Sequence, residues 1–220
     1  MKKIIFTICL ISTVSVNAQV EKGLFIDANF GTRFSGTHSD SSTLGIGYHA
    51  DGGLRYMVGK NWGIKADMGY DAFSANPTDE SKVADRSYNI RASIQGVLSI
   101  SEVAKLGIDK FSLLMHGGFG FTTNINPNWK KTYTDQGGVF GDPFIEGNDD
   151  MVNFIIGLTP QYVINNKLAI NLDFSTIILV KESGYVDREF DASINEGTGI
   201  YHNLTVGISY KIPTSVSKMK

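Results

Sequence analysis

Cysteine is almost missing from the 220 residues: Cys9 stands alone, inside an apolar stretch near the N-terminus. A disulfide framework and any metal site built on thiolates are thereby excluded. Beyond that stretch no apolar run approaches the roughly 18 residues a membrane helix requires. If the remainder meets a membrane, it must do so as a barrel. A basic excess is missing too, with 20 Lys and Arg against 22 Asp and Glu, which argues against nucleic acid as a partner. No glycine-rich phosphate loop, nucleophile elbow or solenoid repeat is visible. The expectation is a protein without cofactor or metal.

What is present begins with Lys2 and Lys3, then apolar residues from Ile4 to Val16, with small Val16 and Ala18 at the end. That order predicts an export signal, residues 1–18, cleaved before Gln19. A membrane anchor is the competing reading, but the stretch is short for about 20 residues of spanning helix. Cys9 is far from the cleavage point, so it is not read as a lipid-attachment site. Cleavage removes two lysines and no acid, leaving 18 basic against 22 acidic residues. The rest suits one domain, 19–212, followed by a polar tail, 213–220.

From Trp62 onward, Trp62, Ile64, Ala66, Met68, Tyr70 and Ala72 alternate with Gly63, Lys65, Asp67, Gly69 and Asp71. A period of two is a strand with one apolar and one polar face. The pattern predicts eight strands, at 24–34, 46–57, 62–73, 88–100, 111–123, 152–163, 168–181 and 200–212. "VGKN" (58–61) and "INNK" (164–167) read as tight turns whose Gly or Asn supplies positive φ. The stretch 101–110 is a longer connection on the same rim. Connections at 35–45, 74–87, 124–151 and 182–199 are long and rich in Gly, Ser, Asn and Asp. Short turns on one rim and long loops on the other predict an all-β, eight-stranded antiparallel up-and-down transmembrane barrel, long loops outside the cell.

Alternation alone also fits a soluble barrel with an apolar core that binds an apolar ligand. Three observations favour lipid. The apolar face carries no Asp, Glu, Lys or Arg, and His202 is its one titratable group besides tyrosines. The interior of eight strands is just wide enough for side chains, too small for so many aromatics. The polar face is instead rich in glycine and in short acids set against arginine. Aromatics of the apolar face fall in two belts. Tyr56, Trp62, Phe111, Tyr162 and Tyr210 lie toward the short turns; Phe34, Tyr48, Tyr70, Tyr88 and Phe121 lie toward the long loops.

With its export signal, its eight strands and the hairpin "LRYMVGKNWGIKADMGYD" (54–71), the chain resembles the small OmpA/OmpX-type outer-membrane barrels, especially the OmpA-like N-terminal barrels of Bacteroidetes. The hairpin is the most specific piece; the rest matches by pattern over 20–212. The resemblance implies residence in the outer membrane, contact with its lipid and lipopolysaccharide, and delivery by the barrel assembly machinery. No counterpart of the family's peptidoglycan-binding domain follows the last strand in this sequence, so cell-wall anchoring is not implied. The last strand reads "ISYKI" before a polar tail, which makes Tyr210 the assembly-signal candidate in place of a terminal aromatic.

The polar face holds Asp27, Arg33, Asp51, Arg55, Lys65, Asp67, Asp71, Arg91 and Asp173, with Lys181 and Lys211 at strand ends. A proton or ion path could be drawn through them. A structural network of paired charges is the preferred reading, because buried charges need partners and eight strands leave no open channel. On that reading Arg91→Ala destabilises the barrel by unpairing its aspartates. His49 and His116 fall on the same face, as hydrogen-bonded fillers rather than metal ligands. His202 lies on the lipid face, where a lipid-modifying enzyme would need a serine and an acid beside it; the His-x-Ser spacing of lipid A deacylases is absent, Leu204 standing there. Asp142, Glu146, Asp149 and Asp150 in 124–151 lack calcium-loop spacing. Trp129, Tyr133, Phe140 and Phe144 in that loop are candidates for contact with an extracellular partner.

Overall fold

The computed structural model describes residues 22–35, 46–74, 86–106, 110–125, 148–182 and 197–213. Eight strands run in chain order: β1 Gly23–Ser35, β2 Ile46–Met57, β3 Trp62–Ser74, β4 Arg86–Ser99, β5 Phe111–Ile125, β6 Asn148–Asn165, β7 Leu168–Glu182 and β8 Gly197–Lys211. Each pairs antiparallel with its sequence neighbours, and β1 pairs with β8, so the sheet closes. Closure leaves no unpaired edge, the condition for strands to cross a bilayer.

The expected strands are all present. Those flanking the longest connection extend further: β5 reaches Ile125 and β6 starts at Asn148, and Asp150 accepts a bond from Thr123 Oγ1 at 2.6 Å. The connection after β4 contains a one-turn helix, α1 Ile100–Val103, where only a loop was expected. The tight turns also differ from expectation. Among the described non-glycine residues positive φ occurs at Lys105 (51°), just after α1, and Lys110 (64°), just before β5, and neither Gly59 nor the asparagines of the two turns adopt it. The β6–β7 turn closes through Asn165 Oδ1, which accepts from the backbone N–H of Lys167 and Leu168 at 2.9 and 3.0 Å. In β6, Pro160 donates no ladder bond, and the β6–β7 pairing skips Thr159 and Pro160 before resuming in the same register.

The question of faces is settled by burial. Trp62 and Met68 are 51% and 64% exposed, whereas Asp71 on the same strand is 0% exposed. Both aromatic belts point outward, Tyr48 and Phe121 most fully, and Tyr70 stacks on Tyr88 with ring centroids 5.9 Å apart. A soluble barrel would invert this order, so the apolar-core alternative fails: the outer wall is the apolar surface. No helix among the described residues is long and apolar enough to cross a membrane; the strands do so.

A fluorescence experiment checks the wall. With Trp129→Phe leaving Trp62 as the single tryptophan of two, phospholipids brominated on their acyl chains should quench Trp62 strongly. Quenching only by an aqueous quencher would reverse the face assignment.

Candidate functional site: the polar lumen

The inward positions of the strands place side chains from opposite walls within bonding reach. Near the short-turn rim Arg55 grips Asp27, Nε to Oδ2 at 2.9 Å and Nη2 to Oδ1 at 3.0 Å. Ser209 on β8 donates to the same Asp27 Oδ1 at 2.6 Å, joining three strands. Next to this pair Lys65 lies 3.0 Å from Asp67 and 3.9 Å from Asp51. Asp67 also accepts from Ser93 Oγ, and from Gln95 Nε2 at 2.7 Å.

Two histidines extend these contacts. His116 joins Gln95 Oε1 (2.6 Å) to Asp173 Oδ2 (2.9 Å), and Asp173 further accepts from Thr159 at 2.6 Å and from Ser175. His49 sits between Asp71 (2.6 Å) and Asp51 (2.9 Å). Arg33 approaches Asp71 at 3.6 Å, with its guanidinium over the ring of Tyr201. In a low-dielectric interior such charges persist only when partnered. Asp27, Arg33, Asp51, Arg55, Lys65, Asp67, Asp71 and Asp173 each have an oppositely charged or imidazole partner within 4 Å.

Arg91 departs from expectation. It is 2% exposed, yet it makes no ion pair among the described residues, and its Nε and Nη1 have no hydrogen-bond partner. It lies over Gly69, where a β-carbon would come 2.9 Å from Arg91 Nη2. The glycine makes room for the guanidinium beside His49, and Arg91 feels the aspartates only at longer range. Lys181 lies at the end of β7, and Lys211 at the end of β8.

Sequence reading missed how the lumen ends. At the short-turn rim Met57, Val97 and Leu114 cluster with Phe25 packed against them. At the long-loop end Met151, Ile155, Ile177, Leu179 and Tyr201 form a second buried cluster. These are inward positions held by apolar residues, visible in the sequence as breaks in alternation such as Ile177-Ile178-Leu179-Val180. Between the clusters lies a cavity of about 20 Å³, far below the dimensions of a channel. The two histidines, expected as hydrogen-bonded fillers, are hydrogen-bonded at both ring nitrogens and join separate parts of the lumen.

No group of three or more His, Cys, Asp or Glu among the described residues is arranged to hold a metal. His202 points outward, 2.9 Å from Thr176 Oγ1 and stacked on Phe174. A hydroxyl does stand beside it, but no described acid does. Trp129, Tyr133, Phe140 and Phe144 lie outside the described residues, as do Asp142 and Glu146.

Solved structures share this architecture. Neisserial surface protein A superposes with a TM-score of 0.50 at 9% identity, covering 86% of this chain and 97% of that one. OprG from Pseudomonas aeruginosa gives 0.48 at 9% identity over 90% and 99% of the two chains. Ail, the attachment invasion locus protein of Yersinia pestis, in complex with the heparin analogue sucrose octasulfate, gives 0.48 at 10% identity over 87% and 99%. At such identities the likeness speaks of fold alone. No curated protein matches the chain by sequence. The outer membrane protein beta-barrel domain, however, matches residues 6–211, nearly the whole chain, and the chain belongs to that family.

Proposed function

We propose that this protein is a closed, non-enzymatic outer-membrane barrel whose structural or adhesive role is exerted through its long-loop rim. The supporting observation is the lumen, filled by bonded charges and capped by an apolar cluster at each end. A protein that transports nothing through its interior acts through its wall and its rims. The wall meets lipid and lipopolysaccharide. The segments 36–45, 75–85, 126–147 and 183–196 leave the barrel on one rim and are the natural contact for an extracellular partner, with Trp129, Tyr133, Phe140 and Phe144 as its aromatic anchors. The barrel assembly machinery reads the last strand, where Tyr210 faces outward.

Conductance tests the reading. The refolded protein in planar bilayers should give no steady current above baseline; stable single-channel steps would overturn the closed lumen. Export is tested separately. The mass of the protein recovered from the outer-membrane fraction should correspond to a chain starting at Gln19, and a mass retaining residues 1–18 would make the leader an anchor.

A further inference from the structure

Three inward side chains converge on the cavity of about 20 Å³, and each brings an atom without a protein partner. Asn29, Asn171 and Arg55 line it, and Asn29 Oδ1, Asn171 Oδ1 and Arg55 Nη1 are buried with no hydrogen bond. The orientation of both amides is fixed from their other ends. Asn29 Nδ2 donates to Asp51 Oδ1 at 2.6 Å; turned over, the amide would set oxygen against carboxylate. Asn171 Nδ2 donates to Ser209 Oγ at 3.0 Å, and the single hydroxyl proton of Ser209 goes to Asp27. Ser209 thus has no proton to offer a turned Asn171. The two carbonyl oxygens also stand close together, both beside Gly207: a β-carbon there would stand 1.9 Å from Asn29 Oδ1 and 2.6 Å from Asn171 Oδ1.

Two buried acceptors and one charged donor, left unmet, are costly. We propose that this cavity is a built site for one ordered water molecule. The water donates its two hydrogens to Asn29 Oδ1 and Asn171 Oδ1 and accepts one from Arg55 Nη1. The fit is close in number and in size. A water takes 2–4 polar partners and needs about 10–15 Å³ of such space. A monovalent cation would also suit two amide oxygens, and the lining sets Asp27 and Asp173 against Arg55 and Lys65; the third unmet atom, Arg55 Nη1, is a donor that a cation cannot use and a water can. The water has a structural consequence. It links the Asp27–Arg55 pair, through Asn29, to Asp51, His49 and Asp71.

The test is a high-resolution crystal structure of the refolded full-length barrel, with and without a thallium soak. The expected result is one peak within hydrogen-bond distance of all three atoms and no anomalous signal there. A thallium peak would make the site a cation site and overturn the water. So would the lack of any peak, or an Asn171 amide turned the other way. In solution, the ¹⁵N-labelled protein in detergent should show a cross-peak from long-lived water to the side-chain amides of Asn29 and Asn171. Asn171→Leu should abolish the one at Asn29; its persistence would overturn the proposal. If that variant does not fold, the wild-type spectrum decides, and no water contact at either amide counts against the site.

Discussion

Replacing Arg55 with methionine should destabilise the folded barrel by about 3–5 kcal/mol, the usual effect of leaving a buried charge without its partner. Both oxygens of Asp27 are held by Arg55, at 2.9 and 3.0 Å, and both residues are buried. After the substitution the hydroxyl of Ser209, at 2.6 Å, is the one hydrogen bond left to the Asp27 carboxylate among the described residues, and Asp27 is buried. The measurement is the urea midpoint in lipid vesicles, followed by the band that migrates faster when the sample is not boiled. Arg55→Met with Asp27→Asn should recover much of the loss, because removing both partners of a buried pair is often close to neutral. Arg91→Met is the informative contrast. Arg91 is equally buried but forms no ion pair among the described residues and has two donor atoms without acceptors, so its loss should be clearly smaller. If the two losses are equal, the charge of the lumen as a whole matters more than the Asp27–Arg55 contact.

That contrast also marks the boundary of what the sequence reveals. The strand stretch Trp62–Ser74 announces its two faces because the lipid wall forbids charge at every second position. The same constraint exposes Asp67 and Asp71 as lumen residues, and the fold follows from repeating it eight times. The partner of each charge is another matter. Arg55 meets Asp27 through the neighbouring-strand register, Gly53 opposite Asp27 and Lys65 opposite Arg55, and such offsets depend on the shear of the closed barrel, which no local pattern encodes. His116 and Asp173 meet across two strand boundaries, from β5 to β7, because side chains reach across a narrow interior. The apolar caps were hidden for a different reason. Ile177 and Leu179 share the inward face of Asp173, and their one signal is a break in alternation within a strand already rich in apolar residues; that they meet Met151, Ile155 and Tyr201 in a cap follows only from closure. Charge composition found the lumen; its wiring and its ends required three dimensions.

Glycine shows the effect of closure most sharply, and Gly118→Val should abolish folding. A β-carbon at Gly118 would lie 2.0 Å from the carbonyl oxygen of Ile94 and 2.6 Å from Cα of Gln95. Gly120, one inward step along, repeats the approach to the carbonyl of Ala92 at 2.1 Å. Closing a barrel with eight strands forces strong coiling, and here β4 curves beneath the inner face of β5. The obstructing atoms are backbone in a paired ladder, so relief requires breaking hydrogen bonds rather than turning a side chain. Overpacking usually costs about 1–3 kcal/mol where side chains can yield; here they cannot, and the variant should exceed that range. Outward glycines supply the control. At Gly96, on the lipid wall of β4, an added β-carbon would have the carbonyl oxygen of Gly117 as its nearest neighbour, at 3.8 Å, so Gly96→Ala should fold with an unchanged urea midpoint. The faster-migrating unboiled band should therefore be missing for Gly118→Val and normal for Gly96→Ala. Equal folding of the two would mean that β4 and β5 can flatten without opening the barrel, and that glycine is not what permits their curvature.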